Sequence, residues 1–176
     1  MKITITLIIA SILLIGCYKV YNISEEKSSE TNNVAAETIV SVNTSITGIP
    51  EVLTKSPILA PVLLQAKTEG KNIIIDFTGS DWCGWCIKLD NEILNTEAFK
   101  EGISADFIFV KLDFPRNIPQ TDEVKATNKA IAGYYEIKGY PTLIITDAEG
   151  KLLGQTGYRE LTPEEYVDHL KTFIQK

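Results

Sequence analysis

Histidine occurs once in this 176-residue chain and cysteine three times. A disulfide-stapled miniprotein needs more cysteines in less chain, so that class is excluded. Hydrolysis by an activated serine or cysteine needs a histidine placed as base. The single histidine, His169, falls in a C-terminal helical stretch and reads as a surface or half-buried helix residue. Glycine-rich phosphate loops are missing, which leaves nucleotide binding unsupported. No basic run stands out and the formal net charge is -6, so the chain has little electrostatic means of holding a nucleic-acid backbone. Internal repeats are also lacking. What is present is an ordinary globular balance, 44% hydrophobic and 23% charged residues, at a length that suggests one domain plus extra material.

The first residues read as an export signal. Met1 and Lys2 supply a positive start, and Ile3 to Ile15 is nearly all apolar. That run of about 13 residues makes roughly 20 Å of helix, whereas a bilayer span takes about 20 residues. A signal-peptide core fits better than a permanent membrane helix. Gly16 and Cys17 follow at the point where the apolar run stops. "LIGC", Leu14 to Cys17, resembles the lipobox of bacterial lipoproteins, in which the signal is cut before the cysteine and the cysteine carries lipid. The resemblance implies a signal peptide over 1–16 and makes Cys17 a membrane anchor. Loss of that signal removes Lys2 and no acid, so the remaining acidic domain gains nothing from anionic headgroups and the lipid would have to hold it.

Residues 17–49 form the anchor cysteine and a polar tether, with "SEEKSSETNN" solvated by composition and "ETIVSVNTSITGI" able to give one short strand. The globular pattern begins at about Pro50 and runs to 176. "SPILAPVLLQAKTEGK" predicts a helix with Ser56 as N-cap and Gly70 near its stop. "NIIIDFT" and "DFIFVKLD" are short apolar runs expected of buried strands. Between them, Cys83 to about Lys100 reads as one helix, with Ile87, Leu89, Ile93, Leu94 and Phe99 at roughly helical spacing. "TDEVKATNKAIAGYY" predicts a helix capped by Thr121. "TLIITD" and "KLLGQTG" read as two strands joined through "AEG". Thr162, Pro163, Glu164 and Glu165 open a last helix. The alternation predicts an α/β domain: βαβ crossovers around a central mixed sheet covered on both faces, with the hairpin adding antiparallel strands.

The chemistry concentrates in "DWCGWC". Cys83 and Cys86 are separated only by Gly84 and Trp85. A structural zinc site needs four ligands, and neither a second CxxC nor further histidines are available, so no metal is expected. A c-type haem would need histidine where Ile87 stands. An inert bridge across two residues closes too short a loop to restrain the unfolded chain much. A redox pair explains the placement better. After a buried strand, Cys83 falls at the helix N-terminus, where free N–H groups and the helix dipole favour a thiolate. Cys86 lies one turn further in and less exposed. On that geometry Cys83 attacks a disulfide and Cys86 resolves the mixed disulfide. Gly84 permits the tight turn, and Trp82 and Trp85, two large apolar groups in one short turn, are expected to line a substrate-facing surface, with a place in the core as the alternative.

"DWCGWC" after "IIIDF", followed by "FVKLD" and "YYEIKGYPTLIITDAEGKLLGQTGY", resembles the thioredoxin superfamily over about residues 55–176. The long form "DFTGSDWCGWCIKL" is more like exported bacterial members of the DsbH kind than cytosolic thioredoxin. The resemblance implies the thioredoxin fold, with Cys83 as nucleophile and Cys86 as resolving cysteine. It makes Pro141 in "GYPT" a cis-proline facing the disulfide and leaves the backbone of Tyr140 free to pair with an extended substrate. It makes Asp76 the buried acid that takes the proton of Cys86, with Lys111 as its neighbour. One extra residue between Asp76 and Cys83 is expected to bulge in the loop. Asp81 is a nearer acid that either raises the Cys83 thiol slightly or is simply solvated. Gly84-Trp85 replaces the Gly-Pro of thioredoxin, so the reduction potential does not transfer.

The expectation is an exported, lipid-anchored thiol–disulfide oxidoreductase acting on exported proteins with cysteines or disulfides, as a reductase by its DsbH resemblance. No organic cofactor is expected; electrons would come through an unidentified thiol donor or acceptor. An oxidase or isomerase is the alternative within the same chemistry. A client-binding module that keeps the pair without turnover is the alternative outside it.

Overall fold

The structure, a computed structural model, describes residues 48–175. The signal segment, Cys17, the tether and the strand expected within residues 37–49 lie outside the described residues, apart from Gly48 and Ile49. Six α-helices are described: α1 (Glu51–Thr54), α2 (Leu59–Glu69), α3 (Gly84–Leu89), α4 (Glu97–Ile103), α5 (Asp122–Tyr134) and α6 (Pro163–Lys171). The strands are β1 (Asn72–Thr78), β2 (Phe107–Asp113), β3 (Thr142–Thr146) and β4 (Leu152–Thr156).

The strands form one mixed sheet in the order β2-β1-β3-β4. β1 runs parallel to β2 and antiparallel to β3, and β4 returns antiparallel to β3. Side chains of a strand alternate between faces, and β1 uses both. Ile73, Ile75 and Phe77 enter a core with α1, α2 and α5, through Leu53, Leu59, Leu63 and Ile131. Ile74 enters the opposite core with α3, α4 and α6, through Leu89, Phe99, Tyr166 and Leu170. Two-sided burial is why "NIIIDFT" reads as a continuous apolar run. By the same alternation, Asp76 projects on the face that α3 covers.

Local signals act largely as expected. Ser56 Oγ accepts from the backbone N–H of Leu59 at 3.1 Å, although regular helix begins three residues later than Ser56. Gly70 ends α2 with φ 66°, a left-handed conformation that glycine adopts without strain. Thr162 and Glu165 form a reciprocal capping box at α6. His169 is half-buried and lies 3.0 Å from Thr156 Oγ1, tying α6 to β4. The short α1 has no counterpart among the sequence expectations.

One expectation is corrected. The helix anticipated from Cys83 to about Lys100 is interrupted. α3 ends at Leu89, a π-turn occupies Asp90–Leu94, and α4 starts afresh after Thr96, whose Oγ1 accepts from Phe99 N–H. Ile93, Leu94 and Phe99 all remain in the core. Their spacing survives approximately because the π-turn adds a residue while the break at Asn95–Thr96 re-aims the chain, so a helical period cannot reveal the break.

Candidate active site

Cys83 is the N-cap of α3, with extended backbone torsions. Its Sγ accepts from Cys86 N–H at 3.3 Å and is bonded to Cys86 Sγ, the two Cα atoms being 5.2 Å apart. Most of both side chains is buried, but Cys83 keeps 7% of its surface and Cys86 only 1%. Cys83 is therefore the more accessible residue of the pair. Gly84 and Trp85 between them are exposed, Trp85 by 59%.

The approach to Cys83 is held from β2. Ser80 donates twice to Asp113 at the end of that strand, through N–H at 2.9 Å and Oγ–H at 2.6 Å. Asp81 accepts from the backbone N–H groups of Arg116, Asn117 and Ile118. Those bonds, the one from Arg116 foremost, hold its carboxyl below the usual range. Asp81 thus serves as a loop cap, a role beyond both sequence readings of it. Nothing in periodicity identifies Ser80, Asp113 or Arg116, because their bonds join segments more than 30 residues apart.

The two tryptophans differ. Trp82 is half-buried and donates from Nε1 to Phe114 O at 2.8 Å. The Arg116 guanidinium sits 4.0 Å from its ring centroid, and Tyr140 packs edge-on against it. Trp85 faces outward and contacts Tyr158, with the Lys88 ammonium near both rings. Of the pair, Trp85 is the freer to meet a substrate, while Trp82 forms the wall. The Tyr140–Pro141 peptide is cis. Beyond Tyr140, a groove of about 320 Å³ is lined by Phe114, Pro115, Asn128 and Lys129 among others. The structure thus brings Tyr140 against Trp82, the residue that precedes Cys83 in the chain.

Gly79 lies beneath Trp82. A Cβ there would lie 2.5 Å from Trp82 Cε2. Gly79→Ala is expected to push the indole off its Phe114 bond and shift the loop that carries Cys83. A displacement of that size costs about ten- to a hundredfold in kcat/KM for disulfide exchange. The check is a turnover assay beside the tryptophan emission spectrum; unchanged kinetics would show that the wall does not position the cysteine.

On β1, Asp76 is 1% exposed, and neither carboxylate oxygen has a hydrogen-bond partner. Burial pushes its carboxyl up to about 7; Lys111 pulls the other way, and Asp90 and Asp113 reinforce the rise. Lys111 is the register partner of Asp76 across β1 and β2. Its ammonium nevertheless bonds to Asp90 Oδ1 at 2.5 Å. No group of three or more His, Cys, Asp or Glu side chains able to hold a metal ion occurs among the described residues.

A disulfide capping the helix after the first strand of a mixed four-stranded sheet, with a cis Tyr140–Pro141 peptide leading into β3, defines the class of thioredoxin-fold thiol–disulfide oxidoreductases. The comparisons agree. The profile of the thioredoxin-like domain matches residues 59–174. The disulfide bond reductase DsbH of Chlamydia pneumoniae is 35% identical over 116 residues, covering 66% of this chain and 70% of that protein. A solved structure of the DsbH oxidoreductase superposes with a TM-score of 0.64 at 30% identity, covering 80% of this chain and 94% of that one. A protein disulfide-isomerase of Hordeum vulgare is 32% identical over 102 residues, which span 58% of this chain and 17% of that protein. The chain belongs to the thioredoxin-like family, and its chemistry is thiol–disulfide exchange.

Proposed function

We propose that the protein is a lipid-anchored, extracytoplasmic disulfide reductase. The observation that carries the catalytic part is the Cys83–Cys86 bond at the head of α3, with Cys83 the less buried of the two residues. The 35% identity to a protein named a disulfide bond reductase supports the direction.

In the reduced protein, Cys83 thiolate attacks one sulfur of a substrate disulfide. The substrate S–S bond breaks, its second sulfur leaves as a thiolate, and a mixed disulfide forms. Cys86 then loses its proton to Asp76 and attacks Cys83 Sγ. The mixed disulfide breaks, the second substrate thiolate departs, and Cys83–Cys86 closes. Two electrons pass from the dithiol to the substrate, and a thiol donor must restore them. Tyr140 backbone, Pro141, Gly84, Trp82 and Trp85 form the surface that receives the substrate segment. Lys111 influences the Asp76 carboxyl from the neighbouring strand. Export and lipidation at Cys17 rest on the apolar segment and "LIGC". The described residues contain no helix long and apolar enough to cross a membrane.

Equilibration against glutathione tests the direction. A reductase is expected to lie near or below about -220 mV. A potential above about -180 mV would instead assign oxidation or isomerisation, since 30 mV is worth about 1.4 kcal/mol in this two-electron couple. Client binding that survives loss of both cysteines, without turnover by the intact pair, would mark a binding module.

A further inference from the structure

We infer that Asp90 is a positioning residue that holds the Lys111 ammonium away from Asp76, leaving the buried carboxyl without a bonded counter-ion. The inference deepens the reading of Asp76 as the proton acceptor for Cys86 and rests on it.

Asp76 and Lys111 are partners in the parallel β1–β2 register and lie on the same face of the sheet. A lysine one strand away from a buried carboxylate has every electrostatic reason to bond it, since an unpartnered buried carboxyl is costly. The bond is not made. Both Asp76 oxygens lack partners, while Lys111 donates to Asp90. The π-turn explains how Asp90 reaches that position. It begins at Asp90 and widens the coil directly after α3, so Leu89, Ile93 and Leu94 stay in the core while the Asp90 carboxylate meets β2. The Lys111 stem also passes Phe109, with its ammonium 5.9 Å from that ring centroid. The Lys111–Asp90 pair is partly shielded from water, at 32% and 18% side-chain exposure, and so is screened less than an open surface pair.

The groups acting on Asp76 from the packed elements are Lys111 and Asp113 of β2, Asp90 of the π-turn and Tyr166 of α6. Lys111 is the one cation among them. An ammonium bonded to Asp76 would favour its ionised form throughout the neutral range. Clasped by Asp90, Lys111 leaves Asp76 free to gain and lose a proton as Cys86 reacts.

The test follows the Asp76 ionisation itself, by ¹³C NMR of labelled aspartate carboxyls in the full protein. Asp90→Asn is expected to lower the Asp76 midpoint by about one pH unit or more, tenfold in its ionisation constant. In a Lys111→Met background the same substitution is expected to move it by less than half as much, because no lysine remains to relocate. Equal changes in the two backgrounds would mean that Asp90 acts only as a distant charge, and no change would mean that it is only a structural tie; either overturns the inference. Asp90→Ala is the second variant should the asparagine form fail to fold, with the same criteria. Asp76→Asn separates the underlying reading. If it leaves the pH profile of turnover unchanged, the proton-acceptor role falls, while the NMR midpoints still decide the clasp.

Discussion

Cys86→Ala is expected to accumulate covalent adducts between Cys83 and substrate thiols, approaching one per protein molecule, while turnover drops to the uncatalysed thiol background. Cys83→Ser is expected to lose turnover equally and to trap nothing. The asymmetry follows from the structure. Cys83 keeps the larger accessible surface, and its sulfur already accepts the Cys86 N–H, a contact that also favours the thiolate. Cys86 is sealed inside the first turn and can reach only its neighbour. Non-reducing electrophoresis with mass spectrometry of the linked peptide reads the result. Adducts forming through Cys86 in the Cys83→Ser variant would reverse the assignment, and a Cys83→Ser protein as active as the parent would remove the proposed nucleophile.

The second large effect concerns stability. Asp76 has its folded-state carboxyl raised to about 7 from 3.8. The sign is that of a group whose neutral form the fold prefers. Below the unfolded value both states are protonated and the site costs nothing through ionisation. Between the two values the unfolded chain releases its proton and the folded protein keeps it, so stability falls as pH rises. Above about 7 the loss is complete. A tenfold change in an ionisation constant corresponds to about 1.4 kcal/mol, so the loss over that window is about 4 kcal/mol, an upper figure for a site with charges nearby. Asp76→Asn cannot ionise. Relative to the parent, the variant is therefore expected to gain about 4 kcal/mol between about pH 4 and pH 8, whatever constant cost the buried amide adds. Guanidinium unfolding of both oxidised proteins across that range measures the difference. A constant difference would show that Asp76 is ionised in the fold at all those pH values. The same variant should slow closure of the mixed disulfide, since Cys86 loses its proton acceptor.

The two effects together describe a site in tension. A carboxyl that lowers stability at neutral pH sits on the sheet face that α3 covers, buried where ionisation is expensive. The Asp90–Lys111 pair removes the counter-ion that would otherwise settle Asp76 in one state.

Strand β1 was legible residue for residue from "NIIIDFT", because a strand buried on both faces reads as a nearly continuous apolar run, here with Asp76 as the charged exception. The cap of α6 was equally readable, since a threonine and a glutamate three residues apart satisfy each other locally. Cys83 and Cys86 declared themselves by spacing, since two intervening residues let the first turn of a helix bring the sulfurs to bonding distance. The interruption at Asp90–Leu94 was not legible, because apolar spacing carries no mark of a single extra residue in a helical turn. Nor were the roles of Ser80, Asp81, Arg116 and Asn117, which depend on bonds across the gap between β1 and the segment after β2.

Taken alone, the amino-acid order determined the four strands and most of the helices of the domain, the family resemblance, and the two sulfurs that exchange bonds. Each of these is a matter of neighbours a few residues apart, where periodicity, caps and turn chemistry act. Tertiary structure decided that Trp82 is a wall and Trp85 a face, and that Lys111 answers to Asp90 while Asp76 goes unpaired. Those outcomes turn on burial and on competition between distant partners, and neither has a value until the sheet and its helices have closed around them.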